Sequence, residues 1–307
     1  MTDKPQHPEE QVLQEGDPDT TGHSWDGIKE FNNPLPRWWL WCFYLTIIWG
    51  VAYTVLYPAW PGISGATAGV LGYSTRAEVA EEIERFDALN ADLRTELTEV
   101  ELASVTRDDT PELYNFALQA GAATFTTWCS QCHGEGAAGV QAAGYPNLLD
   151  DDWLWGGSLE DIQMTIAHGI RNEDDPDARW SEMTAFEGIL SDEEIAQVVN
   201  YAMALSDEDG DGVNASNHAY DTTLAGTGEN VFLDNCAACH GDAGDGDRFL
   251  GAPNLTDAIW LYGGSAEAVE ETVRHSRFGV MPAWSGRLSE AEVNATALYV
   301  HSLGGGE

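Results

Sequence analysis

Two stretches of the 307-residue chain follow the pattern Cys-x-x-Cys-His: Cys129-Ser130-Gln131-Cys132-His133 and Cys236-Ala237-Ala238-Cys239-His240. Thiols at this spacing can add to the two vinyl groups of one porphyrin, and the adjoining histidine is then held beneath the iron as proximal ligand. A zinc half-site or a redox dithiol would use the same residue types. Haem attachment is the better reading because the surroundings of the first motif recur around the second. An offset of 107 links Cys129 to Cys236, His133 to His240, Pro146-Asn147-Leu148 to Pro253-Asn254-Leu255, Trp153 to Trp260, Gly156-Gly157 to Gly263-Gly264, and His168 to His275. An offset of 98 then links Met183 to Met281, Leu190-Ser191 to Leu288-Ser289, and Tyr201 to Tyr299. The first copy therefore holds nine extra residues, assigned to the polar stretch Arg171–Arg179. Two long copies indicate domain duplication rather than a repeat array. The pattern predicts two covalently bound haem c groups and a role in electron transfer.

The sixth iron ligand must come from elsewhere. A thioether is a soft donor that favours reduced iron and raises its potential. Met183 and Met281 are the repeat-matched candidates; Met281 precedes Pro282, whereas Met183 precedes Thr184. Met164 and Met203 have no counterparts and read as core residues. His168 and His275 share the repeat register and could ligate iron or bond a haem propionate, although a surface or haem-edge position at a helix end is favoured. Arg171 and Arg277 are either propionate partners, through bidentate guanidinium pairing, or solvated cations.

These residues need elements to position them. Residues 112–128 have helical spacing and deliver Cys129; residues 158–168 and 191–205 are further helices, and the second copy repeats the plan at 226–235, 265–275 and 289–303. Ser191–Glu194 and Ser289–Glu292 have the capping-box pattern. Strand signals are sparse. From Trp38 to Tyr57 there are twenty residues without a charge, with Trp and Tyr at both ends, which predicts a membrane-spanning helix. Its distance from the N-terminus and its bulky residues argue against a cleavable signal peptide. Cys42, within this run, reads as a small buried apolar residue. Lys4, Lys29 and Arg37 precede the segment and no basic residue follows it until Arg76, so the N-terminus is placed in the cytoplasm. Attachment of c-type haem outside the bacterial cytoplasmic membrane gives the same orientation.

The resulting expectation is an all-α protein with one N-terminal transmembrane helix followed by two tandem class-I cytochrome c domains. Its parts are a cytoplasmic tail (1–37), the transmembrane helix (38–58), a periplasmic loop and helical linker (59–110), a first cytochrome domain (111–206), an acidic linker (207–219) and a second cytochrome domain (220–307). Within the linker, residues 78–105 read as a helix or helix pair packed on the first domain. Asp207-Glu208-Asp209-Gly210-Asp211-Gly212 opens like a calcium-binding loop, but His218 stands where that loop would need a bidentate Glu, so a solvated linker is preferred.

The formal net charge is −39. Beyond the apolar segment there are 44 acidic residues, ten arginines and no lysine. Nucleic-acid binding is excluded on electrostatic grounds. The acids are spread through the chain, which suits a saline or alkaline periplasm, with steering of a basic donor superimposed.

The string His23-Ser24-Trp25-Asp26-Gly27-Ile28-Lys29-Glu30, then Asn33-Pro34-Leu35-Pro36-Arg37-Trp38-Trp39 and the aromatic segment, resembles the N-terminus of the dihaem subunit of cbb3-type cytochrome c oxidases, the CcoP/FixP family. With the tandem haem motifs, the resemblance covers nearly the whole chain. It implies haem binding by Cys129, Cys132, His133, Cys236, Cys239 and His240, with Met183 and Met281 as distal ligands, each serving either its own domain's haem or that of the other domain. It also implies an electron path from a periplasmic cytochrome c or a bc complex, through this inner-membrane subunit, to a monohaem subunit and a catalytic haem–copper subunit. Oxygen reduction would occur in that last subunit. A free-standing membrane-anchored dihaem cytochrome is the alternative, but it gives no reason for the N-terminal string.

Overall fold

A computed structural model describes residues 16–26, 28–63, 65–141 and 143–306. The chain divides into two compact units, residues 1–88 and 89–307.

In the first unit, β1 (Thr20–Trp25) and β2 (Ile28–Phe31) form an antiparallel hairpin, with Trp25 paired to Ile28 and Ser24 to Lys29. The sequence reading assigns no strand here. The Asp26-Gly27 dipeptide between two apolar residues is the local signal for it, and Asp26 adopts a left-handed φ of 50°. Helix α1 (Arg37–Leu56) is twenty residues long and buries none of its side chains in protein. It is the one helix among the described residues long and apolar enough to cross a membrane. It is apolar all round rather than along one stripe, as a lipid-facing helix is. Cys42 is exposed on it, not buried as expected. Aromatic rings stack along α1 one turn apart, Trp39 on Phe43 at 5.3 Å and Tyr53 on Tyr57 at 4.7 Å. The chain then folds back, and the amides of Val70 and Leu71 bond the carbonyls of Val55 and Leu56, which the helix end leaves open. Helix α2 (Thr75–Leu89) exposes Val79, Ile83 and Phe86.

The second unit contains α3 (Ala91–Glu99), a 3-10 turn at Leu102–Ser104, α4 (Pro111–Thr124), a π-helical turn at Phe125–Cys129, α5 (Ser130–His133) and α6 (Leu159–His168). Then come α7 (Asp192–Ala204), α8 (Thr222–Asn235), α9 (Ala237–His240), α10 (Ala266–His275) and α11 (Glu290–Ser302). Ser158 and Ser265 cap α6 and α10, and both expected capping boxes form at α7 and α11. Helix α8 starts four residues earlier than its periodicity suggests, because Asp221 caps it through the amides of Thr223 and Leu224.

The helices pair across the repeats. Helix α4 packs on α11 and α8 packs on α7, while α6 also meets α11 and α10 meets α7. One apolar core joins Phe125, Ile162 and Ile166 of the first repeat to Trp284, Ala297 and Val300 of the second. Another joins Ile195, Val198 and Met203 to Phe232, Val269 and Val273. Each lobe is thus closed by the last helix of the other repeat. A third cluster packs Leu97, Leu102 and Val105 against Leu113, Ala117, Ala295 and Leu298, so α3 and the turn after it belong to this unit's core. Met203 is buried as expected, whereas Met164 is exposed.

The acidic stretch between the repeats is a folded turn. The Asp207 carboxylate accepts bonds from the Gly210 and Gly212 amides at 2.7 and 2.9 Å and from the Tyr220 hydroxyl at 2.7 Å. Asn214 is buried and donates to the Gly264 carbonyl at 2.9 Å.

Candidate haem sites

Each Cys-x-x-Cys-His motif lies where a long helix breaks into a short one. Gly134 and Gly241, at φ of 80° and 78°, end α5 and α9 directly after the histidine. The amide of Gly139 then bonds the His133 carbonyl, and that of Gly246 bonds the His240 carbonyl, both at 2.8 Å, so each histidine is enclosed by its own loop. His133 Nδ1 lies 3.2 Å from the Pro146 carbonyl, and His240 Nδ1 lies 3.1 Å from the Pro253 carbonyl. These bonds fix the rings and leave Nε2 as the free nitrogen. Burial lowers the pKa of both histidines, partly opposed by the carbonyl bond, which holds the neutral ring needed for iron ligation. Burial pushes the Cys129 and Cys236 thiols up to about 11. They are not set up as reactive thiolates, which counts against the dithiol reading.

The motifs open onto two cavities. The first, about 200 Å³, is lined by Cys129, Cys132 and His133 and also by Met281 and Trp284 of the second repeat. The second, about 270 Å³, is lined by Cys236, Cys239 and His240 together with Met183 and Phe186 of the first repeat. Backbone pairing holds this exchange in place. Met281 and Ile170 exchange two hydrogen bonds, at 2.9 and 3.0 Å, and the Trp284 amide bonds the Ile166 carbonyl at 3.1 Å. At the equivalent place in the other lobe, the Phe186 amide bonds the Val273 carbonyl at 3.0 Å and Ser276 Oγ donates to the Met183 carbonyl. Gly169 permits the first contact, since a β carbon there would overlap the Met281 carbonyl.

The cavities fit a porphyrin. Their walls are largely apolar, and each presents two sulfurs, an imidazole and a thioether. Trp260 Nε1, in the wall of the second, is a buried donor without a partner among the described residues. A haem propionate is the kind of acceptor it needs.

The other candidates fall outside these cavities or between them. His168 bonds the Asp175 carboxylate at 3.2 Å, and His275 is exposed, 3.8 Å from Glu271; neither lines a cavity. The nine extra residues form a loop closed by bonds from the Arg171 amide to the Arg179 carbonyl and from the Arg179 amide to the Gly169 carbonyl. Arg277 lines the second cavity, stacked on Tyr262 at 4.6 Å. Arg171 lines both, as do Asp152 and Leu154. Sequence reasoning did not identify Asp152 or the Trp260 donor. Trp260 was visible only as one of the repeat-matched tryptophans.

Comparison with known proteins gives the same picture. Residues 17–64 match the family described as the N-terminal domain of cytochrome oxidase-cbb3, FixP. Residues 116–201 and 223–300 match cytochrome c oxidase, cbb3-type, subunit III. The chain is 55% identical over 294 residues to the cbb3-type cytochrome c oxidase subunit CcoP of Cereibacter sphaeroides, covering 95% of this chain and 97% of that protein. It is 48% identical over 308 residues to the subunit FixP of Sinorhizobium medicae, covering 100% of both. The family matches span both the N-terminal segment and the two haem-motif repeats, and the chain belongs to the CcoP/FixP family of cbb3-type cytochrome c oxidase subunits.

Proposed function

We propose that the chain binds two haem c groups and passes electrons between them, from a periplasmic cytochrome c or bc complex toward the monohaem and catalytic haem–copper subunits of a cbb3-type oxidase. The observation that carries this reading is the pair of cavities, each supplied with two cysteines, a carbonyl-bonded histidine and a methionine. Cys129, Cys132 and His133 would hold one haem with Met281 as distal ligand; Cys236, Cys239 and His240 would hold the other with Met183. The crossed assignment follows which methionine shares a wall with which motif. When bound, each haem would supply a one-electron couple that needs no bond making. The protein's part is to exclude water, fix both axial donors and hold the two sites in one folded unit, residues 89–307.

Helix α1 would anchor the chain in the inner membrane with its N-terminus in the cytoplasm. The cytochrome domains, near 111–206 and 220–307 in sequence, would then be periplasmic. The test is isolation of the tagged full chain from membranes. Two c-type haems per chain by pyridine haemochrome, and co-purification of a haem–copper subunit, are expected. Two haems without that subunit would favour the free-standing carrier instead.

A further inference from the structure

The two repeats meet at Arg171. This residue opens the nine-residue loop and has a left-handed φ of 52°, a conformation costly for a residue with a β carbon. Its Nε donates to the Ser181 carbonyl at 2.5 Å and its Nη1 to the Gly279 carbonyl at 3.0 Å. Ser181 and Gly279 are equivalent positions under the 98-residue offset, and each lies two residues before its methionine. One guanidinium therefore grips the same point on both methionine-bearing segments. The rings of Trp155 and Phe278 lie 5.9 and 5.4 Å from its carbon, and its side chain lines both cavities. Arg171 belongs to the nine residues that only the first repeat holds, so it has no counterpart in the second and the clamp exists once and is shared.

We propose that Arg171 is a positioning residue for both distal methionines, tying the Met183 and Met281 segments together so that the two haem sites share one support. The proposal rests on the reading of these methionines as iron ligands. A guanidinium suits the task because its donors form a rigid planar fork, whereas a lysine ammonium is a point donor. Without the fork both segments lose the same tether, and both thioethers gain freedom to leave the iron.

The test uses the full-length, haem-loaded protein, reading the methionine-to-iron charge-transfer absorption of the oxidised form and both midpoint potentials. Arg171→Gln and Arg171→Lys are expected to weaken the absorption of both haems and lower both potentials, about tenfold in each one-electron equilibrium, or about 59 mV. Arg277→Gln, at a residue lining only the second cavity, should move one potential. If Arg171→Gln fails to take up haem, Arg171→Lys, which keeps the charge but not the planar fork, carries the test and should still lower both potentials. A shift confined to one haem, no shift, or full rescue by lysine would overturn the clamp. Met183→Ala and Met281→Ala serve as controls: if neither removes a charge-transfer band, it is the ligand reading that fails.

Discussion

Gly121 on α4 lies so close to Ala295 on α11 that a β carbon on the glycine would overlap the alanine's carbonyl, and Gly228 on α8 stands in the same relation to Gln197 on α7. Both crossings continue into an aromatic pair, Phe125 with Tyr299 at 5.6 Å and Phe232 with Tyr201 at 5.3 Å. The exchanged helices are thus seated twice, by one device. Gly121→Ala should destabilise the protein even though alanine favours a helix by about 1 kcal/mol over glycine. Overpacking costs roughly 1–3 kcal/mol, and here the obstacle is backbone, which cannot swing aside. Gly228→Ala should behave alike. Denaturant unfolding would show it; a stabilised Gly121→Ala variant would mean that the crossing is looser than described.

The crossed ligation proposed for the methionines gives a second expectation. In a background carrying Cys236→Ala and Cys239→Ala, only the first haem would be covalently attached. There Met281→Ala should lower the potential of the remaining haem, within the roughly 0.8 V range that axial ligands control. Met183→Ala should leave it nearly unchanged. Redox titration of the two variants decides the matter, and the opposite pattern would restore local ligation.

Much of this site was legible in the residues. The Cys-x-x-Cys-His motifs, the matched methionines and the Ser-x-x-Glu boxes each carry their chemistry in local spacing, and the boxes form where they were read. Which copy packs on which was not legible, for a physical reason. Gly121 and Gly228 are repeat equivalents, as are Tyr201 and Tyr299, so the apolar face of α4 suits α7 and α11 equally well on pattern alone. Arg171 was visible as a cation near a haem, but its grip on two carbonyls depends on tertiary structure. The hairpin escaped because its strands are short and almost wholly exposed, leaving one Asp-Gly turn as the only cue.

Between the cavities, burial and the neighbouring Asp257 and Asp150 push the Asp152 carboxyl up to about 6, partly opposed by Arg248, while Asp151 adds to the rise. Burial also raises Asp150 and Asp257. Below about pH 4 Asp152 is protonated in folded and unfolded chains alike and costs nothing. Between pH 4 and 6 the unfolded chain releases its proton while the folded chain retains it, so stability falls as pH rises and levels off above 6. Full burial would set this loss near 3 kcal/mol; water reaches the group, and roughly 1 kcal/mol is the expected size. Asp152→Asn should therefore match the parent at pH 4 and be the more stable at pH 7.5. Equal unfolding midpoints at both values would show that the carboxylate is fully solvated.

Salt should act in two opposite directions. With a formal net charge of −39, the folded chain repels itself, and screening relieves that repulsion as the Debye length falls from about 30 Å at 0.01 M to about 3 Å at 1 M. Against this stands Arg274 on α10, which pairs with Glu270 at 2.7 Å, Glu187 at 2.9 Å and Asp192 at 3.0 Å, and whose pKa those acids raise. Glu187 and Asp192 flank the start of α7, so these pairs join the second repeat to the first. They are solvent-exposed and lose strength as salt is added. Acids outnumber basic residues by 52 to 13, so repulsion dominates and the melting midpoint of the parent should rise with sodium chloride. Arg274→Gln should melt lower than the parent in dilute buffer, with the gap narrowing at 1 M. A parent midpoint that stays flat or falls with salt would show that its acids are already neutralised in the fold, and would remove the case for adaptation to a saline periplasm.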